Sequence, residues 1–245
     1  MSIVRPLTIA FAFLTRLPVR NGEATDTDIG RTLAFFPVVG WALGVTLSAA
    51  AWSAGSLPPP LTAVALIALL AAATGGLHLD GLADVFDALG GGHGDRERML
   101  TIMRDSRIGA HGALALFLVI LAKALSVGVI LQRGVSWPIV LFPVVGRWAV
   151  VPLIVGFPYV REVGVGRTFS ERGTTTELMW ATMFMVALLL WAGGDAVAPT
   201  VLALAAALGF GVWMRRRLGG LTGDVYGAAI ELAEVVFLAA ATRGS

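Results

Sequence analysis

The sequence predicts an all-α integral membrane protein, a bundle of about seven transmembrane helices with a short N-terminal interfacial helix and a cytoplasmic helical loop. Three observations predict it. Of the 245 residues, 57% are hydrophobic, and the mean hydropathy is +0.82. Only 14% are charged, against about 25% in an ordinary soluble domain. The apolar residues also fall in runs close to the ~20 needed to span a bilayer, and the arginines gather between alternate runs.

Taken in order, residues 4–19 begin with a short apolar run, which Arg16 and Arg20 follow without a small-residue cleavage site. This reads as a helix at the interface or packed into the bundle, rather than a signal peptide. Spans are expected at 33–54, 60–78, 110–131, 137–157, 178–194, 197–214 and 225–242. The long connection 79–109 predicts two short helices flanking Gly90-Gly91-Gly92-His93-Gly94. That glycine run lacks the Gly-Lys-Ser/Thr ending of a P-loop and reads as a hinge. No internal repeat or second domain is evident, so residues 1–245 are read as a single polytopic domain.

Arginine placement sets the expected orientation. With the N-terminus in the cytoplasm, the inner side receives Arg5, Arg16, Arg20, Arg31, Arg96, Arg98, Arg104, Arg107, Arg161, Arg167, Arg172, Arg215, Arg216 and Arg217, and the outer side only Arg133 and Arg243. So strong a positive-inside bias predicts a multi-pass protein of the cytoplasmic membrane. The pI of 9.7 arises from these anchors, and no nucleic-acid partner is expected. Cysteine is absent, which excludes disulfides, thiolate metal sites and a cysteine nucleophile, and three histidines make a zinc site a poor candidate.

Chemistry is expected from three polar clusters on the inner side. In Gly75-Gly76-Leu77-His78-Leu79-Asp80-Gly81-Leu82-Ala83-Asp84-Val85-Phe86-Asp87, the carboxylates at i, i+4 and i+7 share one helical face. Like charges that close destabilise a helix unless something cationic sits among them. Mg²⁺ with phosphate oxygens is the usual solution for oxygen-only ligands. In Arg104-Asp105-Ser106-Arg107-Ile108-Gly109-Ala110-His111-Gly112, Arg104 and Arg107 are placed either to grip a phosphate or to anchor the next span. In the third cluster, Thr222–Glu234, Asp224 and Glu231 nearly superimpose down a helix axis, with Glu234 about 60° further round. A carboxylate inside an apolar span is a functional candidate by default. Arg147 is its natural intramembrane partner and Lys123 a second buried cation. Tyr159 and Arg161 either line the same cleft or serve as interfacial anchors, and His78 is either a ligand or structural. Carboxylates from two separated helices with arginines between them describe a site for a metal-bound diphosphate, and hence phosphoryl transfer.

At these residues the chain resembles the adenosylcobinamide-GDP ribazoletransferase (cobalamin synthase) family. The resemblance lies in Phe13-Leu14-Thr15-Arg16-Leu17-Pro18-Val19, the Gly75–Asp87 and Arg104–Gly112 runs, Gly146-Arg147, Pro158-Tyr159-Val160-Arg161 and Thr222–Glu234. Ala88 stands where that family commonly has glycine. The resemblance implies transfer of adenosylcobinamide phosphate from adenosylcobinamide-GDP to α-ribazole or its 5′-phosphate, with release of GMP and Mg²⁺ as cofactor. It also implies roles. Asp80, Asp84, Asp87, Asp224 and Glu231 would hold metal, and Asp84 or Asp87 would act as base. Arg104 and Arg107 would stabilise the leaving group, and His78, Arg147, Tyr159, Arg161 and Glu234 would contact substrate. Two rival readings are a CDP-alcohol-type phosphotransferase and a cation or corrinoid transporter. The first needs an arginine that Asp80-Gly81-Leu82-Ala83-Asp84 lacks, and the second a polar path across the membrane.

Overall fold

A computed structural model describes residues 3–18, 25–162 and 164–243. Val19 and Arg20, both named above, lie outside the described residues. The first helix, α1 (Val4–Leu14), is a short apolar helix as expected. Helix α2 (Asp26–Arg31) starts at a reciprocal cap between Thr25 and Asp28 and leads through a 3-10 turn into α3 (Phe36–Ser53). Then come α4 (Pro59–Thr74), α5 (Leu77–Gly91), α6 (Arg96–Ile102), α7 (Ala110–Gln132), α8 (Trp137–Ala149) and α9 (Val151–Gly156). The chain closes with α10 (Val165–Arg172), α11 (Thr175–Ala192), α12 (Val197–Leu218) and α13 (Gly223–Ala241).

Among the described residues, five helical stretches are long and apolar enough to cross a membrane, or six if α4 and α5 are counted together. About seven were expected. The difference lies in two places. Helix α13 has 19 residues but carries Asp224, Glu231 and Glu234. The run expected as a span at 60–78 stops at Thr74, because Gly75 (φ +63°) and Gly76 (φ +70°) adopt the left-handed conformation that favours glycine and turn the chain by 92°.

Helix α5 is therefore not a short helix of a surface loop. Its 15 residues run across the end of α4 and bury His78, Leu82, Val85 and Ala88 against α7 and α13. Helix packing on α13 is close. A Cβ at Gly81 would fall 2.8 Å from the Asp224 carbonyl oxygen, and one at Gly227 would fall 3.2 Å from His78 Cα. Two small residues thus bring the first and third polar clusters side by side.

The end of the bundle that holds these clusters is tied together by backbone. Val160 N–H donates to Leu221 O (2.9 Å) and Leu221 N–H to Pro158 O (2.8 Å), a short parallel bridge between the segments after α9 and before α13. At the opposite end, Arg133 after α7 donates to the carbonyl of Thr242 after α13. Helix α10, in a segment for which no helix was expected, brings Phe169 against Phe13 and Phe36, with ring centroids 4.9 and 5.6 Å away.

Candidate active site

Asp80, Asp84 and Asp87 share one side of α5, yet their surroundings differ. The Asp87 carboxylate accepts the backbone N–H of Gly109 at 2.6 Å and of Gly112 at 2.8 Å. It caps the N-terminus of α7, where unpaired amides and the helix dipole favour an anion. A Cβ at Gly109 or Gly112 would fall 2.4 Å from that carboxylate, so both glycines make room for it. Asp80 and Asp84 accept no hydrogen bond from any described residue. Both line a cavity of about 640 Å³ together with Arg16, Thr15, Thr74 and Ser106. The charges that act on Asp84 include Asp224, Asp80 and Asp87, with Arg161 as the opposing cation. The locus is net negative and receptive to a cation.

A second cavity, about 280 Å³, lies between α1, α5, α10 and α13 and has Asp80, Phe13 and Leu77 in common with the first. Its walls include Tyr159, Arg161, Asp224, His78 and the three clustered phenylalanines. Arg161 donates to the Asp224 carboxylate and to Met103 O (3.3 Å), held in place by the backbone bridge. It also borders a third cavity, about 450 Å³, with Arg96 and Arg104. Arg104 and Arg107, read either as a phosphate grip or as anchors of the next span, have different surroundings. Arg107 is 86% exposed and pairs with Asp105 at 2.6 Å, holding that carboxyl down at about 2, while Arg104 lines the third cavity with Arg96 and Arg161.

Glu231 and Glu234 do not face the cavities with Asp80 and Asp84. They meet Lys123 and Arg147 in a buried network: Lys123 Nζ to Glu231 at 2.6 Å, Lys123 also to Glu234, and Arg147 to Glu234 at 2.8 Å. Two cations balance two anions, as burial at this depth requires. The free space among them is about 10 Å³, so the polar groups form a closed knot and not a path across the bundle. His78 lies between the knot and the second cavity, fully buried, with Nε2 unpartnered.

Arg16 and the aromatic wall escaped the sequence reading. Arg16 counted only as a charge anchor, although it lies in the Phe13–Val19 run. Its backbone N–H donates to Ala73 O (2.8 Å), and its side chain covers Gly75, where a Cβ would meet Nε at 2.0 Å.

Among the described residues, no three His, Cys, Asp or Glu side chains gather as a metal site. Mg²⁺ is commonly held by one or two carboxylates with phosphate oxygens and water completing its shell. Asp80 and Asp84, unpartnered and one turn apart beside the acidic cavity, fit that form. Asp87, occupied by two amides, and Glu231, paired with Lys123, do not.

Fold and cavities together define a polytopic helical membrane protein with carboxylates and arginines assembled at one end of the bundle. The chain belongs to the cobalamin-5-phosphate synthase family, whose sequence model matches residues 6–242. It is 43% identical over 238 residues to a Pseudomonas entomophila (strain L48) protein named adenosylcobinamide-GDP ribazoletransferase, covering 95% of this chain and 96% of that one. A protein of the same name from Pseudomonas aeruginosa (strain PAO1) is 40% identical over 244 residues, 97% of each. No solved structure matches the chain. The relatives' names place it among transferases of cobalamin synthesis.

Proposed function

We propose that this protein is an adenosylcobinamide-GDP ribazoletransferase, joining adenosylcobinamide phosphate to α-ribazole or its 5′-phosphate and releasing GMP. The observation that carries the reading is Asp80, which borders both the acidic cavity and the aromatic one. A donor phosphate and an acceptor hydroxyl must meet at such a junction.

In this reading the diphosphate of adenosylcobinamide-GDP enters the larger cavity beside Asp80, Asp84 and Arg16. Asp80 and Asp84 would hold Mg²⁺, which would supply charge neutralisation to the diphosphate. The acceptor's 5′-hydroxyl oxygen attacks the phosphorus joined to the cobinamide side, and its proton passes to the Asp84 carboxylate, which has no competing donor. The bond from that phosphorus to the GMP oxygen breaks, and the electron pair leaves with GMP. Arg104 and Arg161, at the edge of the third cavity, stabilise the charge that develops on it. Asp87 positions the start of α7 and holds the Ser106–Ile108 wall of the cavity. Glu231, Glu234, Lys123 and Arg147 hold α7, α8 and α13 together and support His78.

The arginine-rich end of the bundle is then cytoplasmic, as the positive-inside bias supports, and the protein sits in the cytoplasmic membrane. Purified protein in detergent or liposomes, given adenosylcobinamide-GDP and α-ribazole, is expected to release GMP only when Mg²⁺ is present. Equal release with excess chelator would exclude the metal, and no release under any condition would exclude the activity.

A further inference from the structure

The 280 Å³ cavity has a composition that the transfer chemistry alone does not require. Five aromatic residues border it, Phe13, Phe36, Tyr159, Phe169 and Tyr226, contributed by α1, α3, α10, α13 and the segment after α9. Its charged residues belong to its borders. Asp80 is shared with the acidic cavity, Arg161 is shared with the arginine cavity, and Asp224 is paired with Arg161. Two buried side-chain polar atoms on residues that border this cavity, His78 Nε2 and Arg161 Nε, lack a hydrogen-bond partner among the described residues. Buried polar groups are nearly always bonded, so a pair of orphans calls for a missing partner.

We propose that this cavity is the binding site for the acceptor, a nucleoside whose base is a flat, largely apolar heteroaromatic ring. The inference rests on the activity proposed above and assigns one of its two substrates to a place. Volume excludes the corrinoid: 280 Å³ is just below the ~300–1,000 Å³ of small-molecule sites. Guanine presents a polar edge that needs several fixed partners, whereas the body of this cavity is aromatic and its charges lie at its borders. An apolar base stacks on such walls in offset or edge-to-face geometry. The sugar then points towards Asp80, carrying the 5′-hydroxyl to the junction with the acidic cavity, and its other hydroxyls supply partners for the orphaned atoms. Phe169 and Tyr226 are thus specificity-determining residues for the acceptor.

The test separates the two substrates. Phe169→Leu is expected to raise KM for α-ribazole about tenfold while KM for adenosylcobinamide-GDP changes by less than about twofold. Tyr226→Phe keeps the packing, covers the case in which Phe169→Leu fails to fold, and is expected to shift KM in the same selective way. Because the chain contains no cysteine, Phe169→Cys gives a single thiol whose alkylation α-ribazole should slow and GMP should not. Protection by GMP and not by α-ribazole would assign the cavity to the donor and overturn the proposal. Unchanged α-ribazole KM in both variants would overturn it also. Wild-type protein that releases no GMP, while α-ribazole still protects Phe169→Cys, would refute the activity and leave the nucleoside site standing. If neither is seen, both fail.

Discussion

Asp87 and Gly109 lie 22 positions apart, and the carboxylate of one accepts the backbone N–H of the other at 2.6 Å, so the acid of α5 supplies the cap that α7 lacks in its own sequence. A second bond, from Gly112 at 2.8 Å, makes the cap bidentate. Asp87→Asn keeps the shape, but its amide nitrogen cannot accept. The variant is expected to lose about 1–2 kcal/mol of stability, read as a lowered denaturation midpoint in detergent. An unchanged midpoint would mean that the cap contributes nothing to holding α7.

Asp84 has no such structural duty. Asp84→Asn is expected to lower kcat by at least about 10²-fold, the low end for loss of a general base, with thermal stability equal to or above wild type because one of several neighbouring carboxylates is neutralised. Activity within a few-fold of wild type would assign the proton to another group, Asp80 first.

The buried network predicts strong coupling between distant positions. Lys123→Met leaves two carboxylates facing Arg147 alone, and removal of one member of a buried ion pair costs about 3–5 kcal/mol. Adding Glu231→Gln removes the excess charge and is expected to restore much of that loss, giving an interaction energy in a double-mutant cycle well above about 0.5 kcal/mol. Additive losses would show that Lys123 and Glu231 do not share a bond.

Mg²⁺ is expected to distinguish the two acidic groups. With GDP present, Mg²⁺ is expected to raise the unfolding midpoint in a concentration-dependent way. Asp80→Asn and Asp84→Asn should abolish that increment, while Glu231→Gln, though less stable itself, should keep it. Loss of the increment in Glu231→Gln would place that residue at the metal after all.

Orientation is checked with single cysteines at exposed positions. Arg98→Cys on α6 and Ser56→Cys between α3 and α4 lie at opposite ends of the bundle. In intact cells an impermeant thiol reagent is expected to label Ser56→Cys and not Arg98→Cys, and the reverse pattern would invert the protein.

The helices were largely legible because apolar runs and charged ends are local properties of the chain. Where reading stopped, the cause was an interaction with no local signal. Gly75-Gly76 lay within an apolar stretch that continued to Leu79, so hydropathy extended the span through a turn that only backbone dihedrals reveal. The i, i+4, i+7 spacing put three acids on one face of α5, but which of them stayed free was decided by amides 22 and 25 residues away. Glu231 and Glu234 were recognisable as costly in a membrane, and Arg147 as a counter-ion. That Lys123 bridges both glutamates followed from the crossing of α7 and α13, 108 and 111 positions apart. Phe13, Phe36 and Phe169 come from three helices remote in sequence, and no pattern in the chain announces their meeting.

The knot of Lys123, Arg147, Glu231 and Glu234 also orders the birth of the protein. Synthesis delivers α7 and α8 to the bilayer first, each with an unmatched cation, and α13 follows with the two anions that match them. Until α13 arrives, the half-made bundle holds stranded positive charge in a medium that opposes it. Once α13 docks, neither the cations nor the anions can leave without stranding the other. Helix α13 therefore completes the charge balance, and a chain stopped before residue 231 would leave Lys123 and Arg147 without the carboxylates they pair with.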